Sequence, residues 1–93
     1  MEFALKKKLK TQAHALKPVI MIGQSGLTAA VLAEVESALN CHELIKIKIR
    51  AEREERKLIS EQICAETGAV PIQSIGQIIV VYRLNPNKKK TNF

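Results

Sequence analysis

A short segment bounded by two glycines, Gly23-Gln24-Ser25-Gly26, has the residue types best suited to holding a phosphate. It follows an apolar run and leads into a helix for which Thr28 is the expected N-cap. Such a turn aims backbone N–H groups and the positive end of the helix at one place, which suits a phosphate oxygen. Glycine permits positive φ angles and leaves no side chain to keep a nucleic-acid backbone at a distance. Gln24 and Ser25 add polar hydrogens.

The glycine pattern alone is weak, because a plain strand-to-helix turn has the same composition. Neither GxGxxG with an acidic residue about 20 positions later nor GxxxxGK[ST] is present, so a nucleotide cofactor is not expected. No other cofactor and no small-molecule substrate are expected either.

A row of basic residues, Lys46, Lys48 and Arg50, is the second chemically suggestive feature. Spacing by two along a strand projects the three charges from one face at intervals of about 6.6 to 6.8 Å. A solvated strand face is the alternative explanation. The net charge of +6, from 15 Lys and Arg against 9 Asp and Glu, favours a polyanionic partner. Three further cations, Arg53, Arg56 and Lys57, have helical offsets to glutamates that explain them without a ligand, so whether they contact a nucleic acid stays open.

No catalytic or metal site can be assembled from the sequence. No nucleophile, base and orienting group can be grouped around His14 or His42. Cys41 and Cys64 lack metal-ligand spacing, and we expect two reduced cysteines that pack as small hydrophobes. We therefore expect a protein that is not an enzyme and that holds no metal.

Composition excludes several other classes of protein. With 46% apolar and 26% charged residues in 93, the chain is expected to form one folded domain. No apolar run approaches the ~20 residues that span a bilayer, so we expect no membrane partner and a cytoplasmic location. The three aromatic residues are too few for a row of base-stacking rings, so recognition of a nucleic acid would depend on the sugar-phosphate backbone and on shape.

The apolar pattern predicts the order α-β-α-β-α-β-β, an α/β fold in which three helices pack on a mixed four-stranded sheet. The helices are predicted at Glu2–Leu16, Thr28–His42 and Glu52–Thr67, and the strands at Val19–Ile22, Leu44–Arg50, Val70–Ile75 and Gln77–Leu84. The domain is expected to span residues 1–84, and residues 85–93, with Lys88 to Lys90, to form a mobile basic tail.

The strands also predict where the first helix lies. Val19–Ile22 and Ile78–Val81 are apolar at every position, which is typical of strands covered on both faces. We therefore expect the first helix on the sheet face opposite the other two. Leu58, Ile59 and Ile63 are the expected apolar stripe of the third helix, which should end at Gly68.

Three motifs in fixed order resemble the CRM domain family, named for chloroplast RNA splicing and ribosome maturation. They are Ala13–Val19, Ile22–Thr28 and His42–Lys48. More closely, the chain is similar to the free-standing bacterial, YhbY-type members. The resemblance implies a fold like the C-terminal domain of translation initiation factor three, RNA binding without catalysis, and association with precursors of the large ribosomal subunit. Carried over by motif, the glycine segment would face RNA, with Lys17, Lys46 and Lys48 among its basic surroundings.

The sequence thus predicts a monomeric RNA-binding protein acting on ribosomal RNA. The competing hypothesis is an adaptor whose basic face meets an acidic or ribosomal protein. The expected RNA-binding residues are Gly23, Gln24, Ser25, Gly26, Thr28, Lys17, Lys46, Lys48 and Arg50.

Overall fold

The computed structural model describes residues 2–84 and contains three helices and four strands, so the predicted element order is confirmed. The helices are α1 (Phe3–Ala13), α2 (Ala29–His42) and α3 (Arg53–Thr67). The strands are β1 (Pro18–Ile22), β2 (Leu44–Ile49), β3 (Val70–Ile75) and β4 (Ile78–Tyr82). The predicted tail, residues 85–93, lies outside the described residues.

The strands form one mixed sheet in the order β1-β2-β4-β3. β1 and β2 are parallel, whereas β4 is antiparallel to both of its neighbours. Consequently β1, β2 and β3 all end at the edge where β4 begins, and we call this the loop edge. Pro71 lies in β3, which is an edge strand, as a residue without a backbone N–H requires.

The main core lies between the sheet and the pair α2 and α3. β2 alternates, and its residues Ile45, Ile47 and Ile49 are buried on this side. Val35 and Leu39 of α2 pack against them, together with Ile59 and Ile63 of α3. The side chains of α3 that face the core are therefore four residues apart.

The expected apolar stripe of α3 is partly wrong. Leu58 is 64% exposed, while Ile59, Ile63 and Thr67 are buried. At about 100° per residue, Leu58 lies about 140° around the helix from the centre of the stripe formed by Ile59, Ile63 and Thr67, so it points away from the core. Gly68 ends the helix as predicted, with a φ of 73° and its N–H bonded to the carbonyl of Cys64.

The two cysteines have different environments. Cys64 packs against the main core, and burial raises the pKa of its thiol. Cys41 is exposed, so the expectation that both thiols pack as small hydrophobes is wrong for Cys41. Cys41 follows the buried Leu39 by two residues, about 200° around the helix, so it lies on the side away from the core.

α1 covers the opposite face of the sheet, as predicted. Leu9 and Ala13 pack there with Leu44, Ile72 and Val80. The helix is shorter than expected, because it ends at Ala13 and not at Leu16. The N–H of Leu16 bonds back three residues to Ala13, a tightened turn that brings the chain to Pro18, and Leu16 stays exposed.

The prediction that β1 is covered on both faces is wrong. Ile20 and Ile22 are buried, but Val19 and Met21 are 52% and 59% exposed. The physical reason is the position of α1, which contacts β2 and β3 and leaves β1 open. β4 was also predicted too long, since it ends at Tyr82.

Arg83 ties the far edge of the sheet to both large helices. Its guanidinium pairs with Glu36, and it donates to the carbonyl of Thr67 and to Oδ1 of Asn40, both at 2.9 Å. This junction joins residues that are far apart along the chain, and the sequence patterns did not indicate it. No helix among residues 2–84 has the length and apolar character to cross a bilayer.

Candidate nucleic-acid interface

The glycine segment forms a tight turn directly after β1. The N–H of Gly26 donates to the carbonyl of Gly23 at 3.1 Å, which places the exposed Gln24 and Ser25 at the tip. Gly26 has a φ of +72°, whereas Gly23 is not among the residues with positive φ. The expected need for a positive φ therefore holds at Gly26 only.

The turn is open on its outer side. An added Cβ would meet no atom within 4 Å at either Gly23 or Gly26. Packing inside the fold thus gives no reason for glycine at position 23. What a side chain there would obstruct is the approach of another molecule to the backbone.

Thr28 begins α2 at the same edge of the sheet. Its hydroxyl oxygen accepts a hydrogen bond from the N–H of Val31 at 3.2 Å, which confirms the predicted N-cap. The N–H groups of Ala29 and Ala30 belong to the first turn, where an α-helix provides no internal partner. Together with the helix dipole, they favour an anion beside the glycine turn.

The basic row begins at this turn. The N–H of Arg50 donates to the carbonyl of Ile22 at 2.8 Å, so Arg50 lies beside the residue that precedes Gly23. Lys48 pairs with Met21 and Lys46 with Pro18 across the β1–β2 ladder. Strand geometry then places Lys48 about 7 Å and Lys46 about 13 Å from Arg50 along the strand. The turn and the row form one continuous surface.

Lys17 lies at the other end of β1. It precedes Pro18, and six residue steps, about 20 Å of extended chain, separate it from Gly23. The structure therefore brings Lys48 and Arg50 close to the glycine turn. Lys17 lies near the other end of the row, next to Pro18, which pairs with Lys46.

Charge is divided between the two sides of the sheet. Apart from Glu2, every acidic residue lies on α2 or α3 or caps one of them. α1 carries Lys6, Lys7, Lys8 and Lys10 and no acidic residue, and the four strands contain none. The basic row faces the side of α1, since its neighbours Ile45, Ile47 and Ile49 face the other helices. This division was missed because it depends on which face each helix covers.

The three cations of α3 lie on the acidic side. Within residues 2–84, the guanidinium of Arg56 donates to the carbonyl of Ala51 at 2.7 Å and not to the carboxylate of Glu52, which precedes it by four residues. This bond joins α3 to the segment that follows β2. Arg53 and Lys57 are exposed.

Residues 2–84 contain no group of three or more His, Cys, Asp or Glu side chains placed to hold a metal ion. His14 directly follows α1, and His42 is the last residue of α2. The charged side chains along the row beside the glycine turn are all cations, those of Lys46, Lys48 and Arg50.

Comparison with known proteins shows which family the chain resembles. The family model of the CRS1 / YhbY (CRM) domain matches residues 1–83. A probable RNA-binding protein of Pseudomonas aeruginosa is 48% identical over 86 residues, 91% of this chain and 83% of the relative. An RNA-binding protein of Haemophilus influenzae is 52% identical over 85 residues, 90% of this chain and 86% of the relative.

The fold has also been seen before. The solution structure of the hypothetical protein SAV1595 from Staphylococcus aureus matches with a TM-score of 0.82 and 26% identity, covering 97% of this chain and 95% of that one. With the family model matching nearly the whole described chain, and with two relatives near 50% identity, this protein belongs to the CRS1/YhbY (CRM) domain family.

Proposed function

We propose that this protein binds structured RNA, without catalysis, on the surface formed by the glycine turn and the basic row. The observation that carries the proposal is their junction, where Arg50 bonds to the carbonyl that precedes Gly23. The relatives from Pseudomonas aeruginosa and Haemophilus influenzae, which are named as RNA-binding proteins, support it.

The mechanism is backbone recognition. A phosphate approaches the open outer side of the glycine turn and meets the first-turn N–H groups of α2. Lys48 and Lys46 neutralise further phosphates along the row. The acidic side of the molecule repels RNA and so orients the protein on it.

The ligand we propose is ribosomal RNA in precursors of the large subunit, bound in the cytoplasm. Its support is the resemblance described above, which implies association with large-subunit precursors, together with relatives from two bacteria that are named as RNA-binding proteins. Phosphate contacts position a protein and carry no sequence information, so the choice of RNA depends on shape and on contacts beyond the row.

A charge introduced into the turn tests the binding surface. We expect Gly23→Asp to weaken binding to a structured ribosomal RNA fragment about tenfold or more, because it places a carboxylate against the phosphate. Ser37→Asp adds the same charge on the exposed face of α2 and serves as the matched control. Fluorescence anisotropy measures both, and equal affinities of the two variants would contradict the proposed surface.

Sedimentation tests the proposed ligand. The protein in lysates of growing cells should co-migrate with large-subunit precursors on a sucrose gradient, and Gly23→Asp should move to the free fractions. Digestion of RNA before the gradient should release the wild type. Retention of all partners after digestion would instead support a protein adaptor.

A further inference from the structure

A small cavity opens on the basic side of the sheet, at the end of α1. Its volume is about 170 Å³. Ile75, Ile78 and Val80 line its apolar part, and His14, Lys46 and Gln73 supply polar groups. The described residues around it include no acidic side chain, since α1 and the four strands have none.

The cavity has the composition of a site for a flat heterocycle. Apolar side chains can cover the faces of such a ring, and a few polar groups can meet its edge. The amide of Gln73 offers both donors and an acceptor, the imidazole of His14 can offer one of each, and the ammonium of Lys46 offers donors. Gln73 and Lys46 are half-buried, which limits the positions that their polar atoms can take.

The same cavity is continuous with the proposed phosphate path. Lys46 lines the cavity and is also the residue of the basic row that lies farthest from the glycine turn. About 13 Å of strand separates Lys46 from Arg50 beside the glycine turn, a distance that a short single-stranded segment can cover. Ile75 is 60% exposed, so the entrance is open to such a segment.

We propose that this cavity receives one unpaired nucleobase of the bound RNA, while the phosphates beside it lie on Lys46 and Lys48. The inference rests on the proposed function and extends it, because it requires an RNA with an unpaired nucleotide next to a structured element. Sequence-specific RNA recognition generally uses bases that have left the stack. The concentration of cations around an apolar floor favours a nucleotide over an apolar protein side chain.

Methyl NMR distinguishes base binding from phosphate binding. The protein labelled at its isoleucine methyls and backbone amides is titrated with adenosine and uridine 5′-monophosphates, and separately with ribose 5-phosphate. We expect the nucleotides to shift the methyls of Ile75 and Ile78, and ribose 5-phosphate to leave them unmoved. Equal shifts with all three compounds, or none at these methyls, would overturn the inference.

Binding to matched RNAs separates failure of this inference from failure of the proposed function. Gln73→Ala should weaken binding to a hairpin with a single-nucleotide bulge about threefold to tenfold, because one or two hydrogen bonds to the base are lost. The affinity for the fully paired hairpin should not change. Ser74→Ala is the control, since Ser74 pairs with Ile79, a residue of the other sheet face. If Gln73→Ala changes neither affinity while Gly23→Asp weakens both, the cavity is not a base site and RNA binding stands. If the wild type binds neither hairpin, the proposed function itself fails.

Discussion

Gly23 and Gly26 bound the same turn but contribute to it differently. Gly26 adopts a left-handed conformation with a φ of +72°, which a residue with a Cβ enters at a cost of about 1–2 kcal/mol. Gly23 has no such conformation, and a Cβ there would point into open space. Gly26 therefore serves the fold, whereas neither conformation nor packing among the described residues explains the glycine at position 23.

Alanine substitutions should separate these two contributions. We expect Gly26→Ala to lower the free energy of unfolding by about 1–2 kcal/mol, and Gly23→Ala to leave it within about 0.5 kcal/mol of wild type. Urea denaturation measures both changes. Gly26→Asn should recover part of the loss, because asparagine tolerates this conformation. Equal destabilisation by the two alanines would contradict the assignment.

At the scale of the element, the first turn of α2 contributes to stability and also lies at the proposed binding surface. The hydroxyl oxygen of Thr28 accepts the bond from Val31 that begins the helix. The adjacent N–H groups face the loop edge, where the proposed phosphate lies. An aspartate at position 28 would keep the helix cap but oppose phosphate binding, because its carboxylate caps a helix and repels an anion.

Substitutions of Thr28 test this double role. Thr28→Ala should lower the free energy of unfolding by about 1 kcal/mol through loss of the cap. Thr28→Asp should keep the stability of the wild type but weaken RNA binding about tenfold or more, since like charges then meet. Thr28→Ser, which keeps the hydroxyl, is the control for both measurements. Unchanged RNA affinity in Thr28→Asp would place the phosphate elsewhere.

The whole molecule has an uneven distribution of charge. α1 and the basic row give one side of the sheet an excess of lysine, while α2 and α3 carry almost all of the carboxylates. The net charge of +6 therefore understates the potential on the basic side. Such a separation steers a polyanion toward one face and makes its binding sensitive to salt.

The salt dependence of RNA affinity should show which side of the molecule binds the RNA. If four to six phosphates are neutralised, the slope of log K against log salt should be about −3 to −5. Lys48→Ala should make the slope less negative by about 1, the loss of one phosphate contact. Lys57→Ala removes the same charge from exposed α3 on the acidic side and should leave the slope unchanged. Equal effects of the two variants would show that the charge separation does not orient the RNA.

Local chemistry in the sequence was sufficient for most of the elements. Thr28, Gly68 and the alternation in β2 mark a helix start, a helix end and a strand, because capping and side-chain direction depend on a few neighbouring residues. The glycine turn and the members of the basic row could be named for the same reason. Whether these residues contact RNA stays a prediction.

Tertiary packing decided which of the candidate residues lie together, which local sequence patterns could not show. The bond between Arg50 and Ile22 joins the row to the turn, and Lys17 lies at the far end of β1. The placement of α1 over β2 and β3 leaves Met21 exposed and forms the cavity beside Lys46. These features depend on which sheet face a helix covers, and contacts between residues distant along the chain determine that choice. The sequence by itself determined the elements and the candidate residues, and the packing of the helices determined which of those residues share a surface.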